Sequence, residues 1–552
     1  MRRLRAQSSH GRVAVVAGFL ALTVLVGGIL ATPSAAPAAA PLHERGAVVI
    51  GGEPKYLVAD ASGSTLYVSD FAGGAVAVVD VATGLVRQRL PVPDGPVGLA
   101  LSEDGAALYV ASYFGNAVYR FDTASGRREA LIRGGADDDW APWDVLLVDA
   151  PGRGRLLAVT RHHSNTVAFL DPESLAQVAS VPTTYFPYQM DVDPVAGRLY
   201  VISYGGFDGG QLEAVDLATL SRAWVRDTGE GSFDVRLDAD NGVVVVSDFV
   251  GKTLSRVSLD GALLDTRSLA GGPKGLRLSP AGDLFAALQT ADVVATYDST
   301  TGVGSAAEHV GSRPGALAWV PGVDGGAPLL AVGNQGDGTV SLLSSGDPVP
   351  EFADVPLSHR FHREIRVLAL RGALGGYQEA GAAVFRPDDT LVRAQLAKVL
   401  VASLGLHTDV VEPASVAFTD VPADTGTYPF DYVQEASRSG IVSGVTVDPA
   451  RFKPYQAVTR IQLARMAVRA AAAAGSPLPV PSGSSPFWDI RPSDPDLPTI
   501  LAAYQAGIVS GVPGADGHLR FQPYTPATRG QTARIVFNLL GALHVLTAGV
   551  AQ

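Results

Sequence analysis

A 17-residue pattern, STLYVSDFAGGAVAVVD at 64–80, recurs along this chain, and repetition at a regular period restricts the available folds more than any other feature. Close copies are AALYVASYFGNAVYRFD (106–122), RLLAVTRHHSNTVAFLD (155–171) and GRLYVISYGGFDGGQLEAVD (197–216). Weaker copies are NGVVVVSDFVGKTLSRVSLD (241–260), GDLFAALQTADVVATYD (282–298) and APLLAVGNQGDGTVSLLS (327–344). Asp80, Asp122, Asp171, Asp216 and Asp298 close successive units at a spacing of roughly 40–50 residues, the length of a propeller blade. Each unit reads as a turn, an apolar strand, a hairpin, two alternating strands and a more polar outer strand. A single such sheet cannot bury both faces, whereas seven arranged radially can.

The last unit lacks an outer strand, and RGAVVIGG at Arg45–Gly52 is a spare strand ahead of the first. Pairing that strand into the last unit would close the ring and hide both edges. Residues 45–347 are therefore expected to form an all-β, seven-bladed propeller, with six or eight blades as the alternatives. The pattern P…G..LYVS…V.VVD resembles YVTN-type surface-layer propellers and, more distantly, NHL and lyase-type propellers. That resemblance implies a fold and no particular chemistry.

Turns after the outer strands, and those between second and third strands, should share one face. They carry Lys55, Tyr56, Asp70, Tyr113, Trp140, Trp143, Asp144, Arg161, His162, His163, Tyr185, Tyr188, Tyr204, Asp248, Lys274, Gln289, Arg313 and Asn334. Aromatic groups interleaved with charges suit a carbohydrate or peptide pocket. Trp143, Asp144, Arg161, His163, Tyr188, Tyr204 and Lys274 are the leading candidates. Adjacent histidines in RHHSN point opposite ways on an extended chain and do not chelate one metal. ADDDW (136–140) and DADNG (238–242) lack the full calcium-loop pattern. No metal or other cofactor is expected. Cysteine is absent, so thiolate sites and disulfides are excluded.

Past a linker near 344–352 the strand pattern gives way to helical periodicity at 363–374, 394–405, 430–440 and 461–475, with Gly405, Gly440 and Gly475 at C-cap positions. This region is one unit in triplicate. FADV (352–355), FTDV (418–421) and FWDI (487–490) each precede a helix and a Phe-x-Pro, at Phe-to-Phe offsets of 33, 34 and 34. An arginine follows eight residues after the second Phe, in FRPDDTLVRAQ, FKPYQAVTRIQ and FQPYTPATRGQ. These arginines, Arg393, Arg460 and Arg529, open helices, where a cation costs ~0.3–1 kcal/mol against the dipole. Thr459 with Gln462, and Thr528 with Gln531, fit a capping box. An arginine beside first-turn N–H groups would make an anion site, and the alternative is pairing to Asp354, Asp420 or Asp489 of a neighbouring copy.

The triplicate resembles three consecutive S-layer homology domains, at 350–405, 416–475 and 485–541. Resemblance implies a mainly α-helical, pseudo-threefold module that binds anionic secondary cell-wall polysaccharide, with Arg393, Arg460, Arg529, Asp354, Asp420 and Asp489 as ligand-binding residues. The family's Thr-Arg-Ala-Glu motif departs here in Val392 for threonine, in glutamine for glutamate throughout, and in a third copy without an early helical aromatic, DLPTILAAYQAG.

Four arginines, a continuous apolar run at 13–31 and the small-residue tail TPSAAPAAAP read as a secretory signal peptide at 1–40. No membrane span is expected after its cleavage. Residues 44–350 hold 37 acidic and 21 basic side chains, a balance of −16, against 17 of each in 351–552. An acidic propeller argues against nucleic acid and should be repelled by an anionic wall. The expectation is a secreted, wall-anchored surface or S-layer protein displaying a propeller for a carbohydrate or protein ligand. The alternative is a wall-anchored lyase or lactonase type of enzyme using His163, Arg161 and Asp144.

Overall fold

The computed structural model describes residues 42–546, except 136–137, 280–281, 323–326, 346–351, 357, 407, 409–417, 422–427 and 448–449. The expected signal segment at 1–40 and most of the expected linker lie outside the described residues.

Seven four-stranded antiparallel sheets form the N-terminal part, six of them running from an inner to an outer strand in chain order. Blades 1 to 6 span residues 54–91, 96–133, 142–182, 187–227, 232–268 and 273–309. Blade 7 takes three strands from 314–345 and its outer strand from Leu42–Val49, which pairs antiparallel with Thr339–Ser345. The spare N-terminal strand thus closes a seven-bladed ring.

The repeated aspartates now have a physical cause. The Oδ1 atoms of Asp80, Asp122, Asp171, Asp216 and Asp298 accept the N–H of the residue three further on, at 2.7–2.9 Å. Each carboxylate caps the turn into the outer strand, an Asx-type solution to an otherwise unpaired donor. Inner strands begin at Pro in six blades, a position where a missing N–H is tolerated, and at Ser232 in blade 5. A bulge follows in every inner strand, for example between Pro142 and Val145 and between Pro273 and Leu276. It aims successive side chains at the central channel.

Among the described residues of the C-terminal part there are six α-helices: α1 (His362–Leu370), α2 (Arg393–Ser403), α3 (Phe430–Arg438), α4 (Arg460–Ala473), α5 (Leu497–Gln505) and α6 (Arg529–Leu546). The expected C-cap glycines Gly405, Gly440 and Gly475 adopt φ of +63°, +74° and +77°. Helices pack between units, α2 on α3, α4 on α5 and α6 on α1, so the triplicate closes on itself. At the pseudo-threefold axis Leu391 N–H donates to Ala527 O (3.1 Å), Ala527 N–H to Val458 O (2.8 Å) and Val458 N–H to Leu391 O (2.9 Å). One large core runs through all three units.

The closing strand serves both domains. With a side-chain period of two, Val48 and Ile50 enter the core between blades 7 and 1, while Ala47 and Val49 enter the helical core. That explains an unbroken AVVI in an outer strand, a position where antiparallel sheets commonly keep one face wet. Arg366 of α1 pairs with buried Glu44 at 2.8 Å, and Arg371 donates to Ala47 O (3.2 Å) and Gly84 O (2.8 Å). The helical module covers the edge that the propeller would otherwise expose.

Candidate functional sites

In the helical module each repeated motif has one structural task. Both carboxylate oxygens of Asp354 accept backbone N–H groups, of Phe385 (2.7 Å) and Arg386 (2.6 Å). Asp420 does the same for Phe452 (2.7 Å) and Lys453 (2.8 Å), and Asp489 for Phe521 (2.8 Å) and Gln522 (2.7 Å). The central residue of each Phe-x-Pro, Arg386, Lys453 or Gln522, has φ of +58°, +56° or +58°. A non-glycine residue there costs ~1–2 kcal/mol, and two charge-assisted bonds hold it. These aspartates clamp their own unit, and their carboxylates make no direct ion pair with Arg393, Arg460 or Arg529.

That clamped turn receives the next helix. Arg393 and Ala394 N–H groups donate to Gln456 O (3.0 Å) and Pro454 O (2.9 Å). Arg460 and Ile461 donate to Thr525 O (3.0 Å) and Pro523 O (2.9 Å), and Arg529 and Gly530 to Asp389 O and Pro387 O (both 2.8 Å). The expected pairing of arginine with free first-turn N–H groups therefore needs correction. Those donors are consumed by carbonyls of the adjacent unit, which relieves the orphan groups of a helix start.

The three arginine side chains follow the same path. Arg393 Nε donates to Phe452 O (2.8 Å) and Nη2 to Ser443 O (3.1 Å). Arg460 bonds Phe521 O (2.8 Å) and Ser510 O (3.0 Å), and Arg529 bonds Phe385 O (2.8 Å) and Gly375 O (2.7 Å). Each guanidinium lies over the phenylalanine ring of that next unit, at 4.5, 5.3 and 4.4 Å. The residues are 5%, 7% and 5% exposed. Burial pulls all three pKa values below the usual arginine range, opposed by Asp420 near Arg393, by Asp489 near Arg460 and by Tyr377 first near Arg529. A cation at a helix start is tolerated because carbonyl dipoles of the neighbouring unit solvate it.

Capping is only partly as expected. Gln395, Gln462 and Gln531 accept the N-cap N–H of Val392, Thr459 and Thr528 at 3.1–3.3 Å. The reciprocal bond, Gln531 N–H to Thr528 Oγ1, is 3.2 Å. The glutamine half therefore survives even where valine replaces threonine.

The module also exposes aromatic residues that the sequence motifs did not single out. Tyr455, Tyr524 and Trp488 are 68%, 76% and 67% exposed, and Tyr377 places its hydroxyl 3.3 Å from Arg529 Nη1. Trp488 stacks on His518 with centroids 5.8 Å apart. The signal that could have found them is Phe-x-Pro-Tyr in two copies, against Phe-x-Pro-Asp in the first.

On the propeller, several of the expected side chains converge around the channel mouth. Trp143 and Tyr188 have centroids 4.5 Å apart, and Tyr188 continues to Tyr204 (5.3 Å) and Phe233 (5.0 Å). Tyr113 joins Trp143 (5.3 Å) to His163, whose Nε2 lies 3.1 Å from the Tyr113 hydroxyl and whose Nδ1 lies 2.7 Å from Asp139. Lys274 Nζ stands 4.7 Å from the Phe233 centroid. His162 is buried against Phe186 and Tyr188, and burial, then His163, pushes its pKa down to about 4.

Others of the expected residues are turned inward. Asp144 accepts Val145 N–H (3.0 Å) and, from the next blade, Met190 N–H (2.9 Å). Asp234 repeats this with Val235 (2.8 Å) and Leu276 (2.7 Å). Burial pushes Asp144 up to about 7 and Asp234 up to about 6, against backbone bonds and Arg236. Arg161 lies 3.6 Å from the Trp140 ring and donates to Gln177 (2.7 Å). Asp70 is in a buried pair with Arg89 (2.8 Å), Asp248 accepts from Ser232 and Ser255 (both 2.6 Å), and Asn334 donates to Thr339 and Ser341. His163, Arg161 and Asp144 thus have separate partners and do not form one constellation. Among the described residues no group of three or more His, Asp or Glu side chains is placed to hold a metal ion.

Two segments, 417–464 and 486–533, match the S-layer homology domain family. They coincide with the second and third units, and such domains imply association with a cell wall or cell surface. An endoglucanase of Bacillus sp. (strain KSM-635) is 31% identical over 161 residues, 29% of this chain. The chain covers 16% of that protein's length. Among solved structures, Kuenenia stuttgartiensis hydrazine synthase is similar at 19% identity and a TM-score of 0.43, over 54% of this chain and 96% of that one. The Myceliophteria thermophila Cps50 (Swd1) β-propeller domain is similar at 15% identity and 0.46, over 55% and 100%. Among the described residues no helix is long and apolar enough to cross a membrane.

Proposed function

We propose that residues 350–541 hold this chain non-covalently on anionic secondary cell-wall polysaccharide, and that the propeller is displayed at the surface as a binding or structural module. The observation that carries this reading is the pair of S-layer homology matches on two units that close a ring with a third of equivalent construction. On this reading 350–405 is the first such domain, and a cleaved signal at 1–40 delivers the protein to the wall.

The polysaccharide lies in grooves between units. Exposed Tyr455, Tyr524 and Trp488 stack on sugar rings, and Arg393 and Arg460 offer Nη1, for which no hydrogen bond exists among the described residues. Asp354, Asp420 and Asp489 position the turns that shape each groove. The test is sedimentation of the full chain with purified walls before and after extraction of the secondary polysaccharide. Pelleting should require the polysaccharide, and Tyr455→Ala with Tyr524→Ala should lose it at unchanged melting temperature. Equal pelleting with stripped walls would defeat the proposal.

A further inference from the structure

The inner strands reach the channel mouth at one equivalent position per blade, and the residues there are sorted by chemistry. Blades 3, 4 and 5 present Trp143, Tyr188 and Phe233; blades 6 and 1 present Lys274 and Lys55 on either side of Gly315. The three rings form a continuous arc, Trp143 to Tyr188 at 4.5 Å and Tyr188 to Phe233 at 5.0 Å. Lys274 adjoins its end, over Phe233.

Across from the arc the groups are polar donors. Lys274 Nζ donates to Gln335 Oε1 (3.2 Å), which also accepts from Gln289 Nε2 (3.1 Å). Lys55 is matched by Glu53 at 2.7 Å, whereas the ammonium of Lys274 meets an amide oxygen, and Arg313, its side chain exposed, uses its backbone N–H to donate to Asp292 (2.7 Å). Burial pushes the Lys274 pKa down to about 7, reinforced by Lys55 and Arg313 and opposed by Glu53. The rim of a net-acidic propeller thus gathers Lys55, Lys274 and Arg313, with Glu53 beside Lys55 and Asp292 accepting the Arg313 N–H.

A second observation concerns the same face. The exposed aromatic residues of the propeller among those described, Phe114, Tyr185, Phe186 and Phe207, are 69%, 74%, 42% and 82% exposed. All lie in turns between second and third strands or after an outer strand, flanking the arc on blades 2 to 4. Deeper in the channel, with its amide oriented to satisfy both neighbours, Gln189 accepts a hydrogen bond from the Tyr56 hydroxyl (2.9 Å) and donates to Asp234.

We propose that this mouth binds a carboxylated pyranose unit of an acidic glycan, its ring on the Trp143–Tyr188–Phe233 arc and its carboxylate toward Lys274 and Arg313. This rests on the reading of the propeller as a displayed binding module. A flat, partly apolar ring with one anionic substituent satisfies both halves of the mouth, and Gln289 and Gln335 supply amides for hydroxyl groups. Desolvated at the rim, an ammonium that meets an amide oxygen favours an anion over a neutral sugar of the same shape.

The experiment is calorimetric titration of the full chain with trigalacturonate and with its methyl ester, which keeps the rings and removes the charge. Trigalacturonate should bind at least tenfold more tightly than the ester. Lys274→Met should cost about tenfold for the acid and little for the ester, and Arg313→Met should follow in the same direction. Because Arg313 is exposed, that variant keeps the test decisive if Lys274→Met fails to fold. Equal affinity for acid and ester, undiminished acid binding in both variants, or no binding of the acid would each overturn the proposal. Wall sedimentation of the same variants should be unchanged, so failure of the mouth site is read separately from failure of the anchor.

Discussion

Replacing Arg460 by alanine separates two accounts of the repeated arginine. From the helix dipole alone, removing a cation from the start of α4 should gain ~0.3–1 kcal/mol. The contacts made across the joint between units are stronger and act in the opposite direction. Two bonds from a charged donor, to Phe521 O and Ser510 O, are lost, and each is worth ~1.5–3 kcal/mol. The contact with the Phe521 ring adds ~0.5–2 kcal/mol. These contacts share one side chain and do not add fully, so a net loss of about 3–5 kcal/mol is expected. For a module of this size that is a fall of roughly 6–20 °C in melting temperature.

Circular dichroism at 222 nm on the full chain reads this, because the α-helices among the described residues all lie in the C-terminal module. Arg460→Lys keeps the charge without the fork and should fall between wild type and alanine. Arg529→Ala should cost at least as much as Arg460→Ala, since Arg529 also bonds the Tyr377 hydroxyl. A melting temperature within about 2 °C of wild type, with wall binding lost, would show that recognition and not stitching explains the residue. That outcome would refute the energetic account.

Three further outcomes follow from named contacts. Val48→Asp should destabilise the propeller first and Val49→Asp the helical module first, because adjacent residues of one strand enter different cores; near-ultraviolet and 222 nm melts would distinguish them. His162 is neutral when folded, with a pKa below its unfolded value, so the stability it contributes is complete above about pH 6.5 and is lost as pH falls toward about 4. Urea titrations should show up to about 3 kcal/mol lost over that window, and His162→Phe should flatten the profile. Asp420→Ala should cost ~2–4 kcal/mol by freeing the Phe452 and Lys453 N–H groups, and adding Lys453→Gly should return about 1 kcal/mol, measured by chemical denaturation.

What was legible in the sequence is what repeats. The blade repeat and the helical triplicate follow from periods that a single chain displays openly, with six or eight blades left as alternatives, and ring closure follows from a spare strand that can hide both edges. The aspartates closing each blade were visible as a period, but their task was not, since a turn cap becomes apparent only when the partner N–H is located. Asp70, Asp248 and Asn334 read as loop tips because they sit beside turn residues, yet a buried network of hydroxyl and guanidinium groups draws them in. Trp143, Tyr188 and Lys274 were recoverable because each directly follows an opening proline, whereas Phe233 follows Ser232 and was missed.

The arginines show why local electrostatics misleads in a closed repeat. Read along one unit, Arg460 faces a positive helix end and calls for an external anion. Read across units, the same helix start abuts carbonyls held outward by a left-handed residue, which two oxygens of Asp489 clamp in place. Aspartate, Phe-x-Pro and arginine are therefore one device distributed over two copies: the acid shapes a carbonyl-lined turn, and the neighbouring cation fills it. Three units complete three such joints, with the third arginine returning to the first unit at Phe385. A ligand that uses these arginines must do so through the remaining Nη1 edge, beside the exposed tyrosines, without breaking the joint. On the proposed function, wall affinity and module stability would be coupled at the same side chain, so the tyrosines and not the arginines are the substitutions that isolate binding.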